Sequence, residues 1–186
     1  TNAINHALLL ESGVLPDVSS TARKEIAAQW PPFPLFSARL VDGSEFHSAA
    51  WGPAPLGVWA TPSDYAVNGW AMDPNENAEG QSIELRFRNG ERRTINEITL
   101  THMTEDSVVF RNAGLNYISR YPTVITVQLL NPTTVLSDFT ATTNNETTTI
   151  TFPDTLINGV RIVQADDTFS GRSVWAVSET ALRNRP

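Results

Sequence analysis

The sequence predicts an all-β fold, an antiparallel sandwich or barrel preceded by a short helical N-terminal arm, and three observations carry that prediction. Apolar residues alternate with polar ones at period two in several short runs. Turn dipeptides separate those runs at modest intervals. Helical spacing is confined to roughly the first thirty residues.

At the start, Ile4, Ala7, Leu8 and Glu11 follow helical spacing, and Gly13 stands where a C-cap glycine belongs. A second, weaker helix is expected from Ser20, as N-cap, through Ile26 and Ala27. Trp30-Pro31-Pro32-Phe33-Pro34 ends any helix, because proline lacks the amide donor and restricts the residue before it. Residues 1–37 are therefore expected to form a helical or extended arm that lies on the main domain or packs on a neighbouring subunit. Residues 38–186 are expected to form the sandwich.

Residues 46–80 carry few alternations but much aromatic and turn chemistry: Trp51, Trp59, Tyr65 and Trp70 lie among prolines and glycines. Such a segment packs on itself or presents rings to a ligand. Beyond it, Ser82 to Phe87 alternates cleanly, and Asn89-Gly90 is a strong hairpin-turn dipeptide. Asn96 to Thr101 alternates again. Val124 to Leu130, Thr147 to Phe152, Val160 to Val163 and Val174 to Leu182 are further short strand-like runs, with Pro132, Pro153-Asp154, Asn158-Gly159 and Ser170-Gly171 between them. The polar cluster Thr142 to Thr149 is expected to be an exposed hairpin.

Composition excludes several functions. Apolar residues at 40% and charged residues at 18% place the chain in the globular class. Thirteen Lys and Arg stand against twenty Asp and Glu, a net charge of −7, and such a surface repels phosphate backbones and anionic membranes. Neither nucleic-acid binding nor membrane insertion is expected. Cysteine is absent, which removes disulfides, thiolate metal sites and cysteine nucleophiles together. The start lacks the basic-then-apolar order of a secretory signal, and no apolar run is long enough to span a bilayer. No nucleophile elbow, phosphate loop or dinucleotide fingerprint occurs, and His6, His47 and His102 have no metal-ligand spacing. The adjacent carboxylates Asp166-Asp167 are expected in a solvated loop. No catalytic residue is assigned, and the chain is not expected to be an enzyme.

Four stretches, taken in order, resemble the discoidin or coagulation-factor type C domain of the galactose-binding-like superfamily. They are Asp64-Tyr65-Ala66-Val67-Asn68-Gly69-Trp70; Gln81 to Phe87 with Ile95 to Leu100; Thr123 to Leu130 with Thr147 to Phe152; and Gly159-Val160-Arg161-Ile162 followed by Val174 to Leu182. Together they span about three quarters of the chain. The resemblance implies an antiparallel jelly-roll β-sandwich with loops gathered at one end, used as a binding module for glycans, phospholipids or protein surfaces. The chain departs from the pattern in lacking a closing cysteine pair and in its N-terminal arm.

Sugar sites commonly set an aromatic ring against the apolar face of a pyranose while polar side chains take its hydroxyls. Trp51, Trp59 and Tyr65 are the candidate rings, and His47, Asn68, Arg111, Asn112 and Arg120 the candidate polar partners. Trp70, at the family's tryptophan position, and Trp175, in an alternating run, are assigned to the core. The resemblance also implies a structural calcium held by loop carbonyls and carboxylates. Glu179 matches the carboxylate near the family's final strand, with Asp64 or Asp73 as its loop partner. The leading expectation is a non-catalytic carbohydrate- or surface-binding module, extracellular or virion-associated. The rival is a structural or adhesin component of a phage tail or virion, assembled as a homo-oligomer or larger array through the arm.

Overall fold

A computed structural model describes residues 14–19, 70–73, 76–106, 108–112, 115–132, 134–143, 146–166, 169 and 171–186. The strands form two main sheets and a small third one. Five strands run in the order β1 (Val14–Val18), β3 (Ser82–Phe87), β10 (Gly159–Gln164), β7 (Val124–Asn131) and β8 (Thr134–Thr142). Four run in the order β2 (Trp70–Ala71), β12 (Ala176–Arg183), β4 (Arg93–His102) and β9 (Thr147–Ile157). The small sheet holds β11 (Ser173–Val174), β6 (Leu115–Ser119) and β5 (Val108–Asn112), and its β11–β6 pair is parallel. All the pairings inside the two main sheets are antiparallel. The expected all-β sandwich is the fold.

Alternation explains how the core fills. In β3, Ile83, Leu85 and Phe87 point inward while Ser82, Glu84 and Arg86 face out. Ile125, Val127 and Leu129 of β7 and Val160 and Ile162 of β10 continue the same inner face. The opposing sheet contributes Ile95, Ile98, Leu100, Ile150 and Leu182. Ile95 and Ile98, three residues apart, both face inward because the β4–β9 register shifts between Ile95 and Glu97. Trp70 and Trp175 are fully buried, as expected, and meet edge-to-face with centroids 5.2 Å apart. On the outer face Glu84 sits between Arg86 and Arg161, 2.8 Å from each. Burial alone would raise its pKa, but the two guanidiniums outweigh burial and hold it below the ordinary value.

Two expectations about connections need correction. Asn89-Gly90 does adopt the positive φ its turn chemistry requires, 58° and 69°. It does not close a hairpin, however: β3 belongs to the five-stranded sheet and β4 to the four-stranded one, so the turn is a corner between sheets. The Thr142–Thr149 cluster is likewise no hairpin, since β8 pairs with β7 and β9 with β4. Thr143 and Thr148 are buried within it. Local turn signals report backbone geometry and carry no record of which sheet receives the next strand.

The N-terminal expectation also changes in part. Val14–Val18 is a strand, paired antiparallel along β3 at the edge of the five-stranded sheet, with Pro16 tolerated at that edge. The helices expected from Ile4 to Glu11 and from Ser20 to Ala27 lie outside the described residues. At the edge of the four-stranded sheet, Pro153 sits in β9, which among the described residues pairs with β4 alone, where a missing donor is tolerated.

Candidate functional site

One end of the sandwich gathers the ends of β4, β6, β8 and β10 and the starts of β7, β9 and β12. Backbone bonds fix the loops there. Met103 N–H donates to the Ala176 carbonyl, Asp106 N–H to Ser119 and Arg120 N–H to Val174. Asp106 has a φ of 65°, a left-handed turn that short polar side chains tolerate. Side chains then lock the loops to one another. The Glu105 carboxylate accepts from Tyr121 N–H at 3.0 Å, and Ser119 Oγ donates to the Met103 carbonyl at 3.1 Å. Asp166 Oδ2 accepts from both the amide and the hydroxyl of Thr123, at 2.9 and 2.7 Å.

These loops enclose an open cleft of about 470 Å³, lined by Glu105, Asp106, Ile118, Arg120, Tyr121, Thr123, Thr143 and Ser173. Its size is that of a small-molecule site, and several polar groups converge on it. Arg120 is its one cation among the described lining residues, and the guanidinium carbon lies 5.7 Å from the centroid of the Phe169 ring. Tyr121 is held above the ordinary phenol pKa, by burial first and then by the carboxylates of Glu146, Glu105 and Asp106; hydrogen bonding to the Glu105 backbone opposes them. Its hydroxyl therefore stays protonated and available as a donor at neutral pH. Behind the cleft, Thr143 Oγ1 is buried with no hydrogen-bond partner among the described residues. His102 is fully buried against the Tyr121 ring, 5.8 Å between centroids, with the Glu146 backbone beside its imidazole.

The sequence-derived candidates fall unevenly on this geometry. Arg120 lines the cleft. Arg111 and Asn112 lie on β5, beside β6, where their backbone positions are described. Trp51, Trp59, Tyr65, Asp64, His47 and Asn68 lie outside the described residues. Asp166 corrects the solvated-loop expectation: it is 4% exposed and bonded to Thr123. Tyr121, Thr123, Thr143, Ser173 and Glu105 were not anticipated. Their one sequence signal is Ser119-Arg120-Tyr121-Pro122, a charged and aromatic pair before a proline, wedged between two strands at a sheet end.

Glu179 occupies β12 next to a register shift between Val177 and Glu179, with 2% exposure. A buried carboxylate fits the single side-chain share of an oxygen-ligand calcium site. Asp73 follows β2 and is partly buried. Among the described residues, no three His, Cys, Asp or Glu side chains gather as a metal cluster.

The two-sheet antiparallel sandwich is a fold found in solved carbohydrate-binding modules. Solved structures with this fold include the lectin domain of lectinolysin complexed with Lewis B antigen, with a TM-score of 0.60, 12% identity and 100% of both chains covered. The family 32 carbohydrate-binding module of C. perfringens NanJ in complex with galactose gives 0.56 and 15%, covering 92% of this chain and 93% of that one. Chitosan-binding module 1 of a chitosanase/glucanase from a Paenibacillus species gives 0.57 and 17%, covering 97% and 99%. At these identities the likeness is one of fold. No protein-family model matches the sequence, and no curated protein matches it. No helix among the described residues is long and apolar enough to cross a membrane.

Proposed function

We propose that this chain is a non-catalytic carbohydrate-binding module, working outside the cell, whose ligand sits in the cleft at the loop end of the sandwich. The observation that carries the reading is the cleft itself: Arg120, Tyr121, Thr123 and Ser173 line one space of about 470 Å³, inside the range of small-molecule sites. The neighbours named above, in complex with galactose or Lewis B antigen or described as chitosan-binding, support it at the level of fold. Trp51, Trp59 and Tyr65 remain the proposed stacking rings, and Arg111 a further polar contact.

A glycan array of neutral, amino-sugar and sialylated ligands tests the proposal. Glu105 and Asp106 line the cleft with Arg120 as the opposing charge, so sialylated glycans are expected to bind weakest. Arg120→Ala should weaken the best ligand by about tenfold or more, the worth of a charged hydrogen bond. Arg161→Ala, on the outer sheet face, should leave binding unchanged. An array without a response, or equal binding by wild type and Arg120→Ala, would sink the assignment of this cleft.

Calcium is proposed as a structural ligand, with Glu179 and a loop carboxylate, Asp64 or Asp73, supplying the charge. Adding EGTA is expected to lower the melting temperature of the wild type and to leave Glu179→Gln unmoved. A wild-type melting curve indifferent to both EGTA and added calcium rules the ion out.

A further inference from the structure

A second, smaller cleft of about 230 Å³ opens beside the first, lined by Asn77, Ala78, Glu79, Asp166 and Phe169. Two residue pairs form the wall between the openings, each with one member on either side. Arg120 belongs to the first cleft and lies over the ring of Phe169 in the second. Thr123 belongs to the first and donates two hydrogen bonds to Asp166 in the second. The two clefts therefore share a partition built from these two contacting pairs.

The smaller opening falls below the roughly 300–1,000 Å³ of independent ligand pockets, whereas the first falls inside that range. It is the right size for an extension of the main cleft. Asp166 is buried and committed to Thr123, so it acts as fixed wall. What faces a ligand is the half-buried Phe169 ring, with the exposed amide of Asn77 and carboxylate of Glu79 beside it. A ring edge or face flanked by hydrogen-bonding groups is again the chemistry that holds a pyranose.

We propose that the second cleft is a second sugar subsite, so that the ligand is an oligosaccharide of at least two residues bridging the Arg120–Phe169 partition. This rests on reading the first cleft as a sugar site. Glu79, Glu105 and Asp106 all stand along the path, which favours a chain of amino sugars over one of uronic or sialic acids.

Calorimetric titration of the full chain with glucosamine, its β-1,4-linked dimer and its trimer, and with the N-acetylated counterparts, tests the proposal. The dimer is expected to bind about tenfold more tightly than the monosaccharide, a gain of about 1.4 kcal/mol. Phe169→Ala should remove that gain and weaken monosaccharide binding by much less, through the ring lost beneath Arg120. Asn77→Ala, at an exposed position that does not support the core, should reduce the gain in the same direction. Equal affinity for monosaccharide and dimer overturns the second subsite and leaves the first standing. So does a Phe169→Ala or Asn77→Ala effect that is the same for both ligands. Absence of binding by every saccharide in both series overturns the subsite together with the sugar reading it rests on.

Discussion

Replacing Gly159 with alanine is expected to lower stability by about 3 kcal/mol, the upper range for forcing an atom into a packed interior. Gly159 opens β10 and is paired on both sides, with Arg86 of β3 and Leu130 of β7. A Cβ at this position would stand 2.4 Å from the Leu85 carbonyl oxygen and 3.1 Å from the Arg86 Cα, both backbone atoms. Neither neighbour can retreat, because β10 is held between two strands. The residue before it tightens the constraint. Asn158 accepts from Arg86 Nη1 at 2.9 Å, donates to the Glu91 carbonyl at 3.1 Å, and exchanges backbone bonds with Leu130 and Phe87. For a chain of this size the loss corresponds to a melting-temperature drop on the order of 10 °C. Gly171→Ala is the control: it has a φ of 61° with open space around it, so only backbone strain of about 1 kcal/mol is expected. If thermal melts place Gly159→Ala no lower than Gly171→Ala, the close approach at the β9–β10 corner is wrong.

Acid is expected to weaken the fold from about pH 6.5 downward, and His102 is the cause. Burial lowers its pKa from 6.5 to about 4, against a smaller opposing pull from the Glu146 backbone. The folded state therefore prefers the neutral imidazole. Above pH 6.5 neither state is protonated and stability is full. Between pH 6.5 and 4 the unfolded chain takes up a proton that the folded chain refuses, so stability falls. Below pH 4 the loss levels off at about 3 kcal/mol. Glu84, whose pKa is lowered, contributes stability that is lost only as pH falls below the ordinary carboxylate value, so pH 6.5 to 4.5 isolates the histidine. Denaturant melts across that interval should show a steady decline in the wild type. His102→Leu should flatten the curve, and a decline that persists in His102→Leu would move the cause elsewhere. Because the folded chain keeps His102 neutral against Tyr121 over this interval, glycan affinity of the folded protein should hold down to about pH 4 and fall only below it.

The sandwich was legible wherever alternation alone decides which side chain is buried. Ser82 to Phe87 is the clearest case, and Trp70 and Trp175 were assigned to the core on sequence position and pattern. The connections were not legible. Asn89-Gly90 announced a left-handed turn correctly, but pairing is settled by inner faces far apart in sequence, and these put β4 in the other sheet. The site was partly legible for the same reason. Arg120 could be picked as a polar candidate, but its cleft is assembled from the β4–β5, β6–β7 and β8–β9 connections and from β11, which no local pattern relates. Asp166 read as solvated because its partner, Thr123, lies on a different strand connection. Phe169 gained its role only once Arg120 was seen above it.

The corners that pass the chain from one sheet to the other also set the pace at which it folds. Among the paired strands, β5 with β6 and β7 with β8 are joined directly by short connections; β3 must find β1 and β10, and β4 must find β12 and β9. Loop-closure entropy must therefore be met before most native pairings stabilise anything, which places folding in the millisecond-to-second range of high-contact-order β domains. The β7–β8 hairpin, the most local pairing of its sheet, is expected to form first, whereas β10 must find both β3 and β7. Throughout that interval the apolar pair Val135 and Leu136 on the edge strand β8 is unshielded, as it remains in the finished fold. Concentration during refolding, more than temperature, should thus decide between recovery and association.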